Sequence, residues 1–550
     1  MNGDNVPYKK WETFGDIIKK IAEKYPENPA IITENCTMSY KELYEKAIKV
    51  AHGLYRLGIR KGDKVSLWMQ NFPEWVVCWW AVPMLGATLV PVDHWYKTVE
   101  AEHIIGHSDS VAIITYETMG KWRFTDMINE VRDKTKLEHI IVAGENPEED
   151  VEKVGGISFD ELLKLGEGWE KDSGFIEEMR KVTPDDVSLI LYTSGTTGVP
   201  KGVMLCQHQI IKNAYDQGEN MRVTDRDRLL VPVPFTHCFG CVMSITLMAN
   251  FGGAVVPLIV FNEEEALRKI EKHGCTMIHG TPTMFLRELR VLRDSKYDTS
   301  SLRTGIMAGA PCPEDLMTAT LKEMSVNLCI TYGLTEASPG ITMTSLDDSI
   351  EDRVKTVGKP LPDIEVRIVD DNGKDVPRGQ VGEIICRGYN VMKGYYKMPE
   401  KTAETIKDGW LYSGDLGIMD ERGYIIFKGR KKELIIVGGF NVYPLDLEQY
   451  LRNFEKVQDV AIVGVHDEDL GEVVAAAVIP RDGVNLDPVE IVDYCYGKIA
   501  SAKVPRYVYV TNSFPVSGRG KVQKFRLVKE LEELIDAGRL KKIKPSSLNT

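Results

Sequence analysis

One stretch, Leu191 to Val203, limits what this 550-residue chain can be. It reads L-Y-T-S-G-T-T-G-V-P-K-G-V. The run before the loop, Val187 to Tyr192, is short, apolar and rich in β-forming residues, which predicts a buried strand. Thr193, Ser194, Thr196 and Thr197 are then interleaved with Gly195 and Gly198, and Pro200 and Lys201 close the run. Glycine lets a backbone curl until several N–H groups face one anion. The hydroxyls add donors and Lys201 adds positive charge, so the composition suits a triphosphate. The spacing is not that of the Walker-type loop, which needs Gly-Lys followed by Ser or Thr. Here Val199 and Pro200 separate Lys201 from Gly198, and Gly202 follows it. A polar turn between two elements would use similar residues.

The full string T-S-G-T-T-G-x-P-K-G resembles the signature of the adenylate-forming superfamily: acyl- and aryl-CoA synthetases, peptide-synthetase adenylation domains and luciferases. The resemblance implies that Thr193, Ser194, Gly195, Thr196, Thr197, Gly198 and Lys201 bind the phosphates of ATP. Further motifs follow in the family's order. Ile330 to Glu336 resembles Y-G-x-T-E, which implies that Tyr332 stacks on adenine beside Gly333, Thr335 bonds the α-phosphate, and Glu336 holds Mg²⁺. In Gly409 to Asp415, Asp415 is expected to accept bonds from both ribose hydroxyls, with Ser413 where the family usually has Thr. Arg430 is expected to contact ribose and phosphate. His237, after V-P-V-P-F, occupies the position that separates the carboxylate site from the acyl tunnel. Gly379 to Thr402 also resembles the family, as strands plus a tyrosine-bearing turn with a structural role.

Met277 to Pro282 and Thr304 to Pro311 read as strand ends with Gly/Pro turns. Ligands of open α/β sheets gather beyond such ends. Small Gly309 and Ala310, next to Pro311, would let a flat base lie against the backbone; two ordinary tight turns would read the same way.

The stretch Tyr424 to Pro444 contains R-K-K-E-L-I-I-V-G-G-F-N-V-Y-P. It is closest to the form found in bacterial medium- and long-chain fatty-acyl-CoA synthetases. The resemblance places a hinge at Lys432, an N-terminal adenylation domain over residues 1–431 and a mobile C-terminal domain over 432–550. Gly439 matches the glycine past which pantetheine slides; Ile436 and Gly438 stand where plant phenylpropanoid ligases often carry lysines. Lys521, in P-V-S-G-R-G-K, matches the lysine that serves adenylation. The implied fold is α/β: a large N-terminal part of mixed and parallel sheets with helices and a small β subdomain, and a small α+β C-terminal domain.

The pattern of elements agrees with an α/β chain. Trp11 to Lys24 has an amphipathic helical period, and Ser39 with Glu42 forms a capping box at a second helix. Lys64 to Met69, Thr88 to Val92 and Val111 to Thr115 read as strands, with helical patterns between them. Gln209 to Gln217 reads as helix, and Ala461 to Val465 and Val473 to Ile479 as strands. Glu145 to Glu178, charged and Gly-rich, reads as a surface excursion.

Charge and cysteines narrow the class. A net charge of −13 argues against a nucleic-acid partner. Ten scattered cysteines fit a reducing cytoplasm. Trp75 to Val92 carries no charge, but Pro83, Gly86 and Pro91 interrupt it, so it reads as a buried helix, a turn and a strand rather than a membrane span. The first residues lack a signal-peptide pattern and the last lack a targeting address.

The expected activity is therefore an AMP-forming acid–CoA ligase using Mg²⁺, with ATP and CoA as co-substrates. Thr236-His237-Cys238 offers no carboxylate to hold a substrate ammonium, which points to an acid without an α-amino group. Cys238, Phe239, Cys241, Val242 and Met243 would wall its pocket. Transfer to a carrier protein and a non-catalytic nucleotide-binding role are the alternatives, and a homodimer is left open.

Overall fold

A computed structural model describes residues 12–120, 122–193, 200–516 and 522–548. Two compact units emerge: Met1–Val366 with Cys386–Tyr412, and Arg367–Ile385 with Ser413–Thr550. Compactness thus groups residues 413–431 with the C-terminal part.

The first unit holds two large sheets. In the nine-stranded sheet, Pro29–Ile32, Ala254–Pro257, Arg228–Val231, Met277–Gly280, Thr304–Met307 and Asn327–Gly333 lie parallel in that order. In the eight-stranded sheet, Val187–Thr193 lies parallel to Thr88–Pro91, and Lys64–Trp68, Ser110–Tyr116 and His139–Ala143 continue the parallel order. Antiparallel pairing is confined to the edges, where Lys201–Cys206 returns along Val187–Thr193 and then pairs with Gly394–Tyr395. Parallel strands need crossovers, and these are the helices that cover the sheets and make the strands apolar on both faces.

Helix Pro73–Met84 shows why the uncharged run near Trp75 is not a membrane span. Trp75 to Met84 are all buried. Trp79 meets Phe14 edge-on at 5.3 Å and stacks on Trp75 at 5.6 Å. Gly86, at φ 80°, then turns the chain into strand Thr88–Pro91. Among the described residues no helix is long and apolar enough to cross a membrane.

Local signals place the helix starts. The Ser39 hydroxyl accepts from the Glu42 N–H, and the Glu42 carboxylate accepts from the Ser39 N–H at 2.8 Å, opening helix Tyr40–Arg56. Thr13 and Asp16 cap helix Phe14–Lys24 likewise, so that helix begins later than its apolar period alone suggests.

Residues 145–178 depart from expectation. Instead of a surface excursion they form helices Glu148–Val154, Phe159–Leu165 and Ser173–Arg180 and the edge strand Ile157–Ser158. Val154, Leu162 and Phe175 are fully buried. Apolar anchors among many charges are enough to dock short helices; most of the charges face outward, while Asp150 and Glu178 are buried.

The second unit is built on a long hairpin, Val457–Asp467 with Gly471–Pro480, joined in parallel by Tyr507–Val510. Both faces are covered. Val460 and Ile462 enter one core, while Ala461, Val463 and Val465 pack with Leu527 and Leu531 of helix Lys524–Asp536 in the other.

Candidate active site

The phosphate-loop candidates are framed by a hairpin. Thr193 and Lys201 are register partners at its end, and the Thr193 hydroxyl reaches the Lys201 carbonyl at 3.5 Å. Ser194, Gly195, Thr196, Thr197 and Gly198 lie outside the described residues, as does Lys521.

Lys201 is tied to the acidic candidate through a residue the sequence did not single out. Its ammonium donates to the Tyr395 hydroxyl at 3.1 Å, and that hydroxyl donates to Glu336 Oε1 at 2.8 Å. The ammonium also lies 4.3 Å from the centre of the Tyr395 ring. Burial pushes the phenol's pKa well up, with the neighbouring Glu336 charge adding to it, so the proton stays on oxygen. Glu336 is 9% exposed, on the short helical turn Thr335–Ala337.

Thr335 joins the other side of the group. Its hydroxyl is 3.8 Å from Cys238 Sγ, and that sulfur is 3.7 and 3.9 Å from the two ring nitrogens of His237. The His237 Nδ1 accepts from the Phe239 N–H at 3.2 Å, which fixes the ring at the start of the turn Cys238–Gly240. Lys201, Glu336, Thr335 and His237, four candidates drawn from three distant stretches, are thus brought into one connected set by Tyr395 and Cys238.

The pocket-wall candidates follow on that turn. Cys238, Phe239, Cys241, Val242 and Met243 are all buried. Cys241 opens a π-helical stretch, Cys241–Thr246, a rare form that often marks functional sites. Burial drives the Cys241 thiol's pKa up, so the thiol stays uncharged in this wall.

His279, at the end of strand Met277–Gly280, locks this wall to the sheet. Its Nδ1 accepts from the Ile306 N–H at 3.2 Å, so Nε2 carries the proton and donates to the Met243 carbonyl at 2.9 Å. Its ring stacks on Phe239 at 5.5 Å. Burial lowers its pKa to about 4.

The nucleotide-base candidates sit where parallel strands end. Gly309, Ala310 and Pro311 form an exposed loop after Thr304–Met307, with Gly309 at φ 89°. Tyr332 and Gly333 end the adjacent strand Asn327–Gly333; Tyr332 is buried and Gly333 exposed.

In the second unit, Asp415 and Arg430 are register partners on antiparallel strands Trp410–Met419 and Ile425–Arg430. The Ser413 hydroxyl accepts from the Asp415 N–H at 3.1 Å and donates to the Ile384 carbonyl at 2.6 Å, work that Thr could also do. Lys432 lies in the turn Lys431–Glu433. Gly438 and Gly439, at φ 55° and 86°, turn the hairpin between Ile435–Val437 and Phe440–Val442. A Cβ on Gly439 would meet nothing within 4 Å, so conformation rather than crowding selects glycine there. Val516 and Val522, on either side of residues 517–521 in the sequence, pair as an isolated antiparallel bridge.

Among the described residues no cluster of three His, Cys, Asp or Glu could cage a metal. Mg²⁺ needs no cage: it is commonly held by one or two carboxylates plus substrate phosphates. Glu336, with one oxygen bonded to Tyr395 and the other given no partner by the described residues, fits that pattern.

Comparison with known proteins identifies the family. Residues 18–396 match the AMP-binding enzyme family, and residues 446–521 match the AMP-binding enzyme C-terminal domain. The putative acyl-CoA synthetase YngI of Bacillus subtilis (strain 168) is 38% identical over 543 residues, covering 95% of this chain and 98% of that protein. The mitochondrial medium-chain acyl-CoA ligase ACSF2 of Danio rerio is 35% identical, covering 95% and 88%. Among solved structures, the anthranilate CoA ligase AuaEII in complex with anthranoyl-AMP superposes with a TM-score of 0.86 at 26% identity, covering 97% of this chain and 100% of that one. ATP-bound MatB from Rhodopseudomonas palustris gives 0.81 at 28% identity, covering 94% and 99%. With both family regions matched in order and relatives aligned along nearly its whole length, the chain belongs to the AMP-binding family of adenylate-forming enzymes, among the acyl-CoA synthetases.

Proposed function

We propose that the protein is an ATP-dependent carboxylic acid–CoA ligase for an apolar, non-amino acid of the fatty, alicyclic or aryl class. The observation that carries the reading is the connected set His237–Cys238–Thr335–Glu336–Tyr395–Lys201. It assembles a cation, a carboxylate and hydroxyl donors beside a buried wall of Cys, Phe, Val and Met. The AuaEII complex contains an acyl adenylate, the intermediate this reading requires.

Two half-reactions follow. The substrate carboxylate attacks the α-phosphorus of ATP, giving acyl-AMP and pyrophosphate; the CoA thiol then attacks the acyl carbon and AMP leaves. A carboxylate is already a nucleophile, so the first step needs no general base. It needs charge neutralisation on the phosphates. Lys201, Thr335, the donors of residues 193–198 and Lys521 supply it from the protein. Bound at Glu336, Mg²⁺ would add positive charge to the same phosphates. Tyr332, Gly333 and the loop Gly309–Pro311 receive adenine, while Asp415 and Arg430 receive ribose. Lys521 serves the first half-reaction and Gly439 the second, with Lys432 as the pivot that exchanges them.

The pocket residues support the substrate class. Residues 236–243 contain no Asp or Glu, and a buried substrate ammonium without a counter-charge would cost several kcal/mol, on the order of a lost buried ion-pair partner. Mg·ATP incubated with acids from acetate to palmitate, plus cyclic and aryl acids, with and without CoA, tests the reading. Pyrophosphate and AMP released with an apolar acid, and a thioester only when CoA is present, is the expected result. ADP as product, or release driven only by amino acids, would overturn it.

A further inference from the structure

Tyr395 sits between two oppositely charged groups that the proposed reaction needs apart. Its oxygen is 3.1 Å from the Lys201 ammonium and 2.8 Å from Glu336 Oε1, so cation and carboxylate are separated by at most about 6 Å, the two bonds laid end to end. Among the described residues they form no direct ion pair within the 4.0 Å limit of one. Yet both are well enough sheltered for their attraction to be strong: Glu336 is 9% exposed and Lys201 half-buried. Lysine's flexible stem could close the gap. Among the described residues the phenol oxygen bridges it.

The backbone holds that oxygen in register from both sides. Tyr395 pairs with Val203, and the Tyr396 N–H donates to the Gly202 carbonyl at 2.8 Å, one residue from Lys201. The Met392 N–H donates to the Glu336 carbonyl at 2.9 Å. The Tyr395 N–H donates to the Thr402 hydroxyl at 2.9 Å. Gly394 permits this: its φ is 135°, and a Cβ there would lie 2.7 Å from Thr402. One short segment is therefore fastened to the strand that carries the cation and to the turn that carries the carboxylate.

We propose that Tyr395 is a positioning residue that stops Lys201 and Glu336 from neutralising each other, leaving the cation for the nucleotide's phosphates and the carboxylate for their metal. The inference rests on the functional reading above and deepens it. A phenol suits the task because it is neutral, donates to the carboxylate and accepts from the ammonium at once. A hydrophobic ring alone would fill the same core volume and let the charges collapse together.

Tyr395→Phe separates the two roles, because it keeps the ring and removes only the oxygen. Calorimetric titration with α,β-methylene-ATP, in Mg²⁺ and in EDTA, reads binding without turnover, and titration with AMP reads the base and ribose contacts. In Tyr395→Phe, affinity for the Mg²⁺ complex is expected to fall about tenfold, the scale of one hydrogen bond to a charged group. AMP affinity should stay within about twofold, the ordinary independence of sites that share no partner. In a Glu336→Gln background, where no carboxylate can capture Lys201, the oxygen's removal should cost little; the cycle isolates the coupling. Unchanged affinity for the Mg²⁺ complex in Tyr395→Phe, or an equal loss in both backgrounds, would overturn the inference. Failure of the wild-type protein to bind the analogue at all would instead overturn the functional reading.

Discussion

Glu288 should make the first unit more stable at acidic than at alkaline pH, and its replacement should remove that bias. Its side chain lies on the buried face of helix Pro282–Asp294 with Phe285 and Leu289, 1% exposed. Among the described residues neither carboxyl oxygen has a hydrogen-bond partner. Burial pushes its pKa well above the usual carboxylate range, and the Glu263 charge adds to the shift. The folded chain therefore keeps a proton that the unfolded chain releases near pH 4.3, the ordinary glutamate value. A pKa raised by folding gives stability that is complete below the unfolded pKa and lost as pH rises toward the folded one. The loss runs at about 1.4 kcal/mol per pH unit across that window. Leaving the neutral carboxyl unpaired adds a penalty of about 1–3 kcal/mol. Glu288→Gln removes only the proton-linked part; Glu288→Met removes both. Urea unfolding at pH 5, 6.5 and 8, read on the transition of the first unit, should show Glu288→Met more stable than wild type at every pH, with the gap widening upward. Glu288→Gln should show the widening without most of the offset. A wild-type curve parallel to both variants would refute the reasoning, since it would mean that the carboxyl is hydrated or paired.

Three further outcomes follow from the site. His279 stays neutral in the folded chain down to pH about 4, so its contribution, present above the unfolded histidine value, is lost as pH falls from about 6.5 toward 4 and amounts to about 3 kcal/mol; His279→Leu should flatten that acid limb in melting experiments and shift acid preference, because it unpins Met243. Lys521→Ala should abolish pyrophosphate release but spare thioester formation from supplied acyl-AMP, and equal loss of both steps would contradict the division of labour proposed above. Gly439→Leu should do the reverse; its positive φ adds strain of about 1–2 kcal/mol, so the assay needs a melting curve alongside.

What could be read from the sequence was local. The capping pair Ser39 and Glu42, the strand at Val187 and the uncharged helix at Trp75 each depend on neighbours a few residues away, and their chemistry is written in order along the chain. The short strings around Lys201, Thr335–Glu336 and Asp415 were legible for the same reason. Tyr395 was not. Its partners are 194 and 59 residues away, and a tyrosine in a Gly-rich turn looks structural until the sheet edge forms. His279 reads as one polar residue in an apolar strand; its role depends on Met243 and Ile306, which only the fold brings near. Residues 145–178 misled because charge dominates their composition while apolar anchors decide their structure.

The edge pairing of Lys201–Cys206 with Gly394–Tyr395 has a consequence for biosynthesis. During translation the lysine strand emerges nearly two hundred residues before the strand that completes it. Until then, its outer row of N–H and C=O groups faces water or a chaperone, and the site's cation has no phenol beside it. A ribosome-bound chain arrested before Tyr395 can already hold most of both large sheets, yet it carries an open sheet edge along the strand that begins at Lys201. The first unit thus acquires the charge arrangement of Lys201, Tyr395 and Glu336 only once that late segment has left the exit tunnel and closed the sheet edge.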